Sequence, residues 1–139
     1  MNFEGLYKAS RVVRMVEDQG FVFTDLEELL AQTEDIDDRR MYEQTARSYL
    51  MIDGDCNVMQ VMAIPENTPA AEIETAKKRG MNVTADGKYL VLQTVPGKIE
   101  DGELFMYDST KFLAGTDWVK ISTENEDELA LVTTIYKKI

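Results

Sequence analysis

The segment from residue 48 to residue 95 constrains the fold most, because it alternates short apolar runs with turn residues. Two of these runs flank Asp53-Gly54, and an Asp-Gly pair readily supplies the positive φ angles of a tight hairpin turn. A second pair, Asp86-Gly87, separates two further runs, and Pro96-Gly97 beyond them predicts a type II turn. The segment therefore predicts two antiparallel hairpins, with a loop of either two or four residues at the first turn.

A helix is predicted between these two hairpins, over residues 69–79. Thr68 is a favourable N-cap residue, and Pro69 suits the first helical position. Three cations occupy residues 77–79, where the helix dipole favours positive charge. Gly80 follows them and can adopt the left-handed conformation that commonly ends a helix.

Three further helices are predicted before this unit, over residues 3–19, 25–32 and 35–47. In the first, apolar residues recur at helical spacing on one face, namely Leu6, Ala9, Val13 and Val16. Thr24 and Glu27 form a capping box for the second. Acidic residues open the third, where the helix dipole favours them.

The last segment of the chain carries signals for both a strand and a helix. The β-branched run at residues 132–135 favours a strand. A capping box at Thr123 and Glu126 favours a helix, which we predict over residues 124–137. The predicted fold is a single α+β domain over residues 1–139. In it, N-terminal helices pack on a mainly antiparallel sheet, with one helix inserted between strands and another at the C-terminal end.

The net charge of −11 is concentrated in two parts of the chain. Residues 24–43 carry eight acids against two arginines, and residues 100–139 carry nine acids against four lysines. The rest of the chain is balanced. Such a distribution favours association with a cationic partner and argues against direct binding to nucleic acid.

Eight acidic residues from these two parts are the predicted partner-binding residues. The first acidic set is Glu34, Asp35, Asp37 and Asp38, and the second acidic set is Glu124, Glu126, Asp127 and Glu128. Spaced carboxylates can steer association with a basic protein surface, and could occupy a site that normally holds nucleic acid. The alternative is a solvated charged face without a partner.

The absence of histidine limits the chemistry that this chain can perform. It excludes Ser-His-Asp triads, Cys-His dyads and His-ligated metal sites, so no catalytic residue, metal or cofactor is predicted. Residues 53–57 resemble the first half of a calcium loop. However, Val58 stands at the glycine position of such a loop and Ile64 at its glutamate position.

The sequence also predicts a cytoplasmic protein without a membrane partner. No apolar run approaches the roughly 20 residues of a membrane span. Charges throughout the first 18 residues are unlike a signal peptide, and Cys56 has no second cysteine to pair with.

The leading functional hypothesis is a non-enzymatic acidic interaction protein, a small regulator or inhibitor that binds a basic surface of a partner protein. One alternative is a small-molecule-binding or enzymatic domain with its pocket between the N-terminal helices and the sheet. Another is a homo-oligomeric structural protein in which an edge strand such as Val58–Ile64 pairs between chains.

Overall fold

Antiparallel strands make up most of the computed structural model, which describes residues 3–139. Within that range the chain forms ten strands and three short helices. The strands are β1 (Gly5–Val16), β2 (Gly20–Asp25), β3 (Ser48–Ile52), β4 (Asn57–Ala63), β5 (Asn82–Val83), β6 (Tyr89–Glu100), β7 (Glu103–Tyr107), β8 (Trp118–Lys120), β9 (Glu128–Leu131) and β10 (Thr134–Lys138). The helices are α1 (Leu26–Gln32), α2 (Ile36–Ala46) and α3 (Ala70–Lys78).

The strands form one sheet in the order β8-β7-β6-β4-β3-β1-β10-β9, with β2 beside β1 and β5 beside β6. This sheet curls into a half-barrel. Ile121, just after β8, forms backbone hydrogen bonds with strands at both ends of this order. Its N–H donates to the carbonyl of Leu104 in β7 at 2.9 Å, and its own carbonyl accepts from Ala130 of β9 at 2.7 Å.

The prediction of an α+β fold with N-terminal helices packed on a sheet is wrong, because the structure is mostly antiparallel sheet and residues 5–16 form a long strand. Residues 3–19 form β1 and part of its turn rather than a helix. Burial follows the two-residue period of a strand, since Tyr7 and Ala9 are buried and Lys8 between them is exposed. The helical spacing of apolar residues in this segment is therefore coincidental.

The prediction of a helix over residues 124–137 is also wrong, because β9 and β10 form a hairpin there. Thr123 Oγ1 accepts from the N–H of Asn125 at 3.1 Å, so the supposed capping residue closes a loop instead. Val132 takes a positive φ of 57° at the hairpin turn. The β-branched run beyond it pairs with β1, which agrees with the strand preference of such residues.

The other three helix predictions are confirmed as α1, α2 and α3, but two of the predicted caps are wrong. Asp25 and Pro69 occupy the N-cap positions of α1 and α3, and neither makes a side-chain capping hydrogen bond. Gly80 has the left-handed φ of 89° expected after a helix. The first hairpin loop has four residues, 53–56, between β3 and β4.

Apolar side chains from most of the strands meet in one buried cluster. Its least exposed members, each at most 1% exposed, are Tyr7, Leu50, Val58, Leu104, Ile121 and Leu129. Leu26 and Leu29 of α1 join the same cluster, and Tyr42 of α2 packs against it. Full burial of one such side chain stabilises the fold by about 1.5–3 kcal/mol.

The hypothesis that Val58–Ile64 pairs between chains as an edge strand is wrong. β4 lies inside the sheet and pairs with β3 on one side and β6 on the other. A strand with partners on both sides offers no free backbone groups to a second chain. None of the helices within residues 3–139 combines the length and the apolar character that crossing a membrane requires.

Candidate interaction surface

The first acidic set lies at the connection between α1 and α2, and all four of its residues are exposed. Asp35 caps α2, since its Oδ1 accepts from the N–H of Asp38 at 3.0 Å. Asp37 and Asp38 then occupy the first helical turn, where the dipole favours negative charge. The local fold therefore gathers these carboxylates at one end of a helix.

No ion pair within residues 3–139 includes a carboxylate of the first acidic set. The ion pair on α2 joins Arg39 and Glu43, at 3.3 Å, on a solvent-exposed face. Ile36 stands between Asp35 and Asp37 in the chain and is 67% exposed. The set thus combines exposed carboxylates that make no described ion pair with one exposed apolar side chain.

The second acidic set is divided by the fold. Glu124 and Glu126 are exposed on the loop before β9. Asp127 is half-buried. Burial of Tyr7 raises the pKa of its hydroxyl, and the negative charge of Asp127 raises that pKa further. Glu128 forms an ion pair with Arg11 at 2.9 Å, and its side chain is only 17% exposed. Glu128 is therefore bound within the protein, and two of the four carboxylates are fully presented to solvent.

The described contacts do not join the two acidic sets. Within residues 3–139 no hydrogen bond or ion pair runs from one set to the other. Each set must therefore be considered as a separate surface.

A cleft of about 570 Å³ lies between the helices α1 and α2 and the strands β1 and β10. Lys8, Lys137 and Lys138 line it, together with Asp25 and Glu27 and apolar residues of both helices. Lys8 and Lys137 face each other as cross-strand partners. None of the three lysines makes an ion pair with another residue in the described part of the chain. Sequence reasoning missed this group because its lysines come from opposite ends of the chain.

The loop that resembles half of a calcium site is held by internal hydrogen bonds. Asp53 accepts from the backbone N–H groups of Asp55 and Asn57 and from the side-chain amide of Asn57, at 2.8–3.0 Å. The bond from the Asn57 side chain is the main reason that the pKa of Asp53 is lowered. Residues 3–139 contain no group of three or more cysteine, aspartate or glutamate residues placed to hold a metal ion.

Cys56, at the end of the same loop, is a half-buried free thiol. Burial, and then the charge of Asp53, raise its pKa. A raised pKa keeps the sulfur protonated and poorly nucleophilic, so its surroundings within residues 3–139 do not favour a reactive thiol.

Comparison of this chain with protein-family models, with curated proteins and with solved structures gives no match. Any functional conclusion rests on the surfaces described above.

Proposed function

We propose that this protein is a non-enzymatic interaction protein of the cytoplasm, a small regulator or inhibitor that binds a basic surface of a partner protein through its first acidic set. The observation that carries the proposal is that four exposed carboxylates, which make no ion pair within residues 3–139, stand beside the exposed Ile36 in the chain. Glu124 and Glu126 add a second, separate acidic surface.

Charge of this kind acts mainly on the rate of encounter. Exposed charges are screened over about 10 Å at 0.1 M ionic strength, so steering by the first acidic set depends strongly on salt. Ile36 then supplies apolar contact once the partner has docked. Because single exposed apolar side chains are common on protein surfaces, the carboxylates rather than Ile36 carry the proposal.

Neutralising the first acidic set should slow association without unfolding the protein. In a variant with Glu34→Gln, Asp35→Asn, Asp37→Asn and Asp38→Asn, we expect the association rate with a lysine-rich peptide at low salt to fall roughly tenfold. Asn at position 35 preserves the cap, and each lost dipole interaction is worth about 0.3–1 kcal/mol at most. Stopped-flow kinetics across a salt series, with thermal melts alongside, measure both effects.

A control variant separates the position of the charges from their number. Glu17→Gln, Glu28→Gln, Glu66→Gln and Glu72→Gln remove the same net charge from exposed positions elsewhere. This control should retain most of the parent's association rate. If both variants slow association equally, overall charge alone attracts the peptide, and the first acidic set has no special role.

The cleft supports a second candidate function, the binding of a small anion. Its volume is within the roughly 300–1,000 Å³ that is usual for small-molecule sites. Like charges directly opposite each other on a sheet are destabilising, so an anion between Lys8 and Lys137 would relieve their repulsion.

An anion in the cleft should raise the melting temperature through these lysines. We expect inorganic phosphate or citrate to stabilise the parent more than chloride at equal ionic strength, because a ligand that binds only the folded state stabilises it by mass action. Lys8→Gln with Lys137→Gln should reduce the difference to the general stabilising effect of such anions, which needs no binding site. Lys88→Gln is the control, at an exposed lysine far along the chain from Lys8 and Lys137, and it should leave the anion effect unchanged. A parent that responds identically to all three anions has no anion site in this cleft.

A further inference from the structure

The hairpin formed by β1 and β2 extends beyond the rest of the sheet. Residues 5–8 of β1 pair with β3, whereas residues 11–16 pair with β2. On the other side, β1 pairs with β10 as far as Val12, and the N–H of Val13 donates to the carbonyl of Thr133 at 2.7 Å. Residues 14–22 therefore form a two-stranded ribbon, and within the described chain the outer edge of β2 has no strand partner.

One face of this ribbon is apolar and open to solvent. Val13 is opposite Phe23 and Met15 is opposite Phe21, so these four side chains share a face. Met15 and Phe21 are each 74% exposed, and Phe23 is 53% exposed. Val132, at the turn between β9 and β10, is also 72% exposed.

A ribbon of this kind is poorly stabilised without a further partner. Isolated two-stranded hairpins are marginally stable in water, and an exposed apolar edge strand readily pairs with another strand. The cation–π contact of Arg11 with Phe23, at 5.6 Å from the ring centroid, shields one of the two aromatic rings in part. Met15 and Phe21 have no comparable cover, and no charged residue lies within β2 before its last residue, Asp25.

We propose that the outer edge of β2 pairs with β2 of a second copy of this chain, forming a symmetric dimer. Charge favours this occupant, because residues 1–23 carry three acids and three bases whereas the chain as a whole carries −11. Two copies repel each other through their acidic segments but not through this ribbon. A basic partner, conversely, is attracted to the acidic segments rather than here.

The sequence of β2 suits pairing with itself in the antiparallel direction. With Val22 on the two-fold axis, Phe21 of one copy lies opposite Phe23 of the other, and the apolar faces of both ribbons become continuous. Such an interface is isologous, the commonest arrangement in soluble homo-oligomers. In this pairing, the N–H and C=O groups on the outer edge of β2 form hydrogen bonds with the second copy.

The area available is consistent with a reversible dimer. At about 200 Å² per aromatic side chain, Phe21 and Phe23 together expose roughly 250 Å² in each copy. Two copies bring at most roughly 500 Å² from these side chains, because edge-to-edge pairing leaves part of each ring in water, against about 1,200 Å² for the smaller stable interfaces. We therefore expect monomer and dimer to exchange with concentration.

Sedimentation of the parent and of two charged variants tests the dimer. One variant carries Phe21→Lys and Phe23→Lys, and the other carries Phe21→Glu and Phe23→Glu. The parent should approach twice the monomer mass as concentration rises, and each variant alone should dimerise at least roughly 30-fold more weakly. Mixed together, the two variants should form a heterodimer, because introduced lysines then lie opposite introduced glutamates.

The control is Phe112→Ser, which removes an 86% exposed aromatic outside any strand and should leave dimerisation unchanged. Equal weakening by Phe112→Ser would indicate general stickiness and overturn the proposal. A parent that stays monomeric at all concentrations overturns it as well. Folded variants that fail to form the heterodimer, although the parent dimerises, contradict pairing through β2. If the monomeric parent binds phosphatidylcholine vesicles, the ribbon contacts lipid instead.

Discussion

Replacing Gly97 by alanine is expected to destabilise the fold severely, although the substitution adds only one methyl group. Gly97 lies in β6 at the point where that strand changes partners, pairing with β4 up to Pro96 and with β7 from Gly97 onward. A Cβ atom at this position would overlap the carbonyl oxygen of Cys56 and would lie 3.3 Å from the carbonyl oxygen of Phe105. These two atoms belong to the backbone, of the loop residue before β4 and of β7, and cannot rotate away as side chains do.

We expect Gly97→Ala to lower the free energy of unfolding by about 3 kcal/mol, near the upper end for overpacking, and the melting temperature by about 10 °C. The matched control is Gly54→Ala. Gly54 has no positive φ, and the nearest atoms to an added Cβ, on the Glu4 carboxylate, are 3.8 Å away. Gly54→Ala should change stability by less than about 1 kcal/mol, in either direction. Similar melting temperatures for the two variants would contradict the close approach of the three strands.

Gly97 also shows where sequence reasoning stops. Pro96-Gly97 is a favourable type II turn pair, yet both residues lie within β6. The glycine is needed because a third strand passes close by, and that strand begins 40 positions earlier in the chain. Glycine in a strand often marks such an approach, but the sequence does not indicate which backbone comes near.

Features that depend on neighbours in sequence were predictable. The helices α1, α2 and α3 were predicted from signals within a few residues of each other, mainly acidic residues in the first turns and, for α3, lysines and a glycine at its end, although the caps predicted for α1 and α3 are wrong. Asp101-Gly102, a third Asp-Gly pair, adopts φ angles of 54° and 78° between β6 and β7, as in a tight hairpin turn. Each of these features is determined locally.

The strands at the two ends of the chain were not predictable in this way. β1 pairs with β10, so that Tyr7 lies opposite Lys138. A strand of this kind is stabilised by pairing and burial across the sheet rather than by its own propensity. Apolar residues spaced three and four apart then favour a helix when the segment is considered alone, as they did for residues 3–19.

The candidate surfaces show the same division. The exposure of the first acidic set follows from its charge density and its place at a helix start. The ion pair that removes Glu128 from the second acidic set involves Arg11, 117 residues away. The apolar face of the β1–β2 ribbon depends on cross-strand register, which a helical interpretation of the segment conceals.

Tyr7 distinguishes the strand from the helix that the sequence suggests. It is fully buried in the cluster shared by the strands, and its hydroxyl donates to the carbonyl oxygen of Phe3 at 2.7 Å. The ammonium group of Lys138 lies 5.6 Å from the centre of its ring. Leu6, its neighbour in the chain, is only half-buried. In the predicted helix Leu6 would be buried as well, since it belongs to the predicted apolar face.

Tyr7→Ala should therefore lower the free energy of unfolding by about 3–5 kcal/mol, as expected when a large buried aromatic side chain is removed. Tyr7→Phe retains the ring but leaves the Phe3 carbonyl without its partner, and should cost about 1–3 kcal/mol. Leu6→Ala, the control at the neighbouring position, should cost about 1 kcal/mol, because only part of its side chain is removed from water. Urea unfolding measures all three losses in free energy, provided that the variants have the same m value. A loss at Leu6 equal to that at Tyr7 would contradict the strand, because only a helix buries both residues on neighbouring parts of one face.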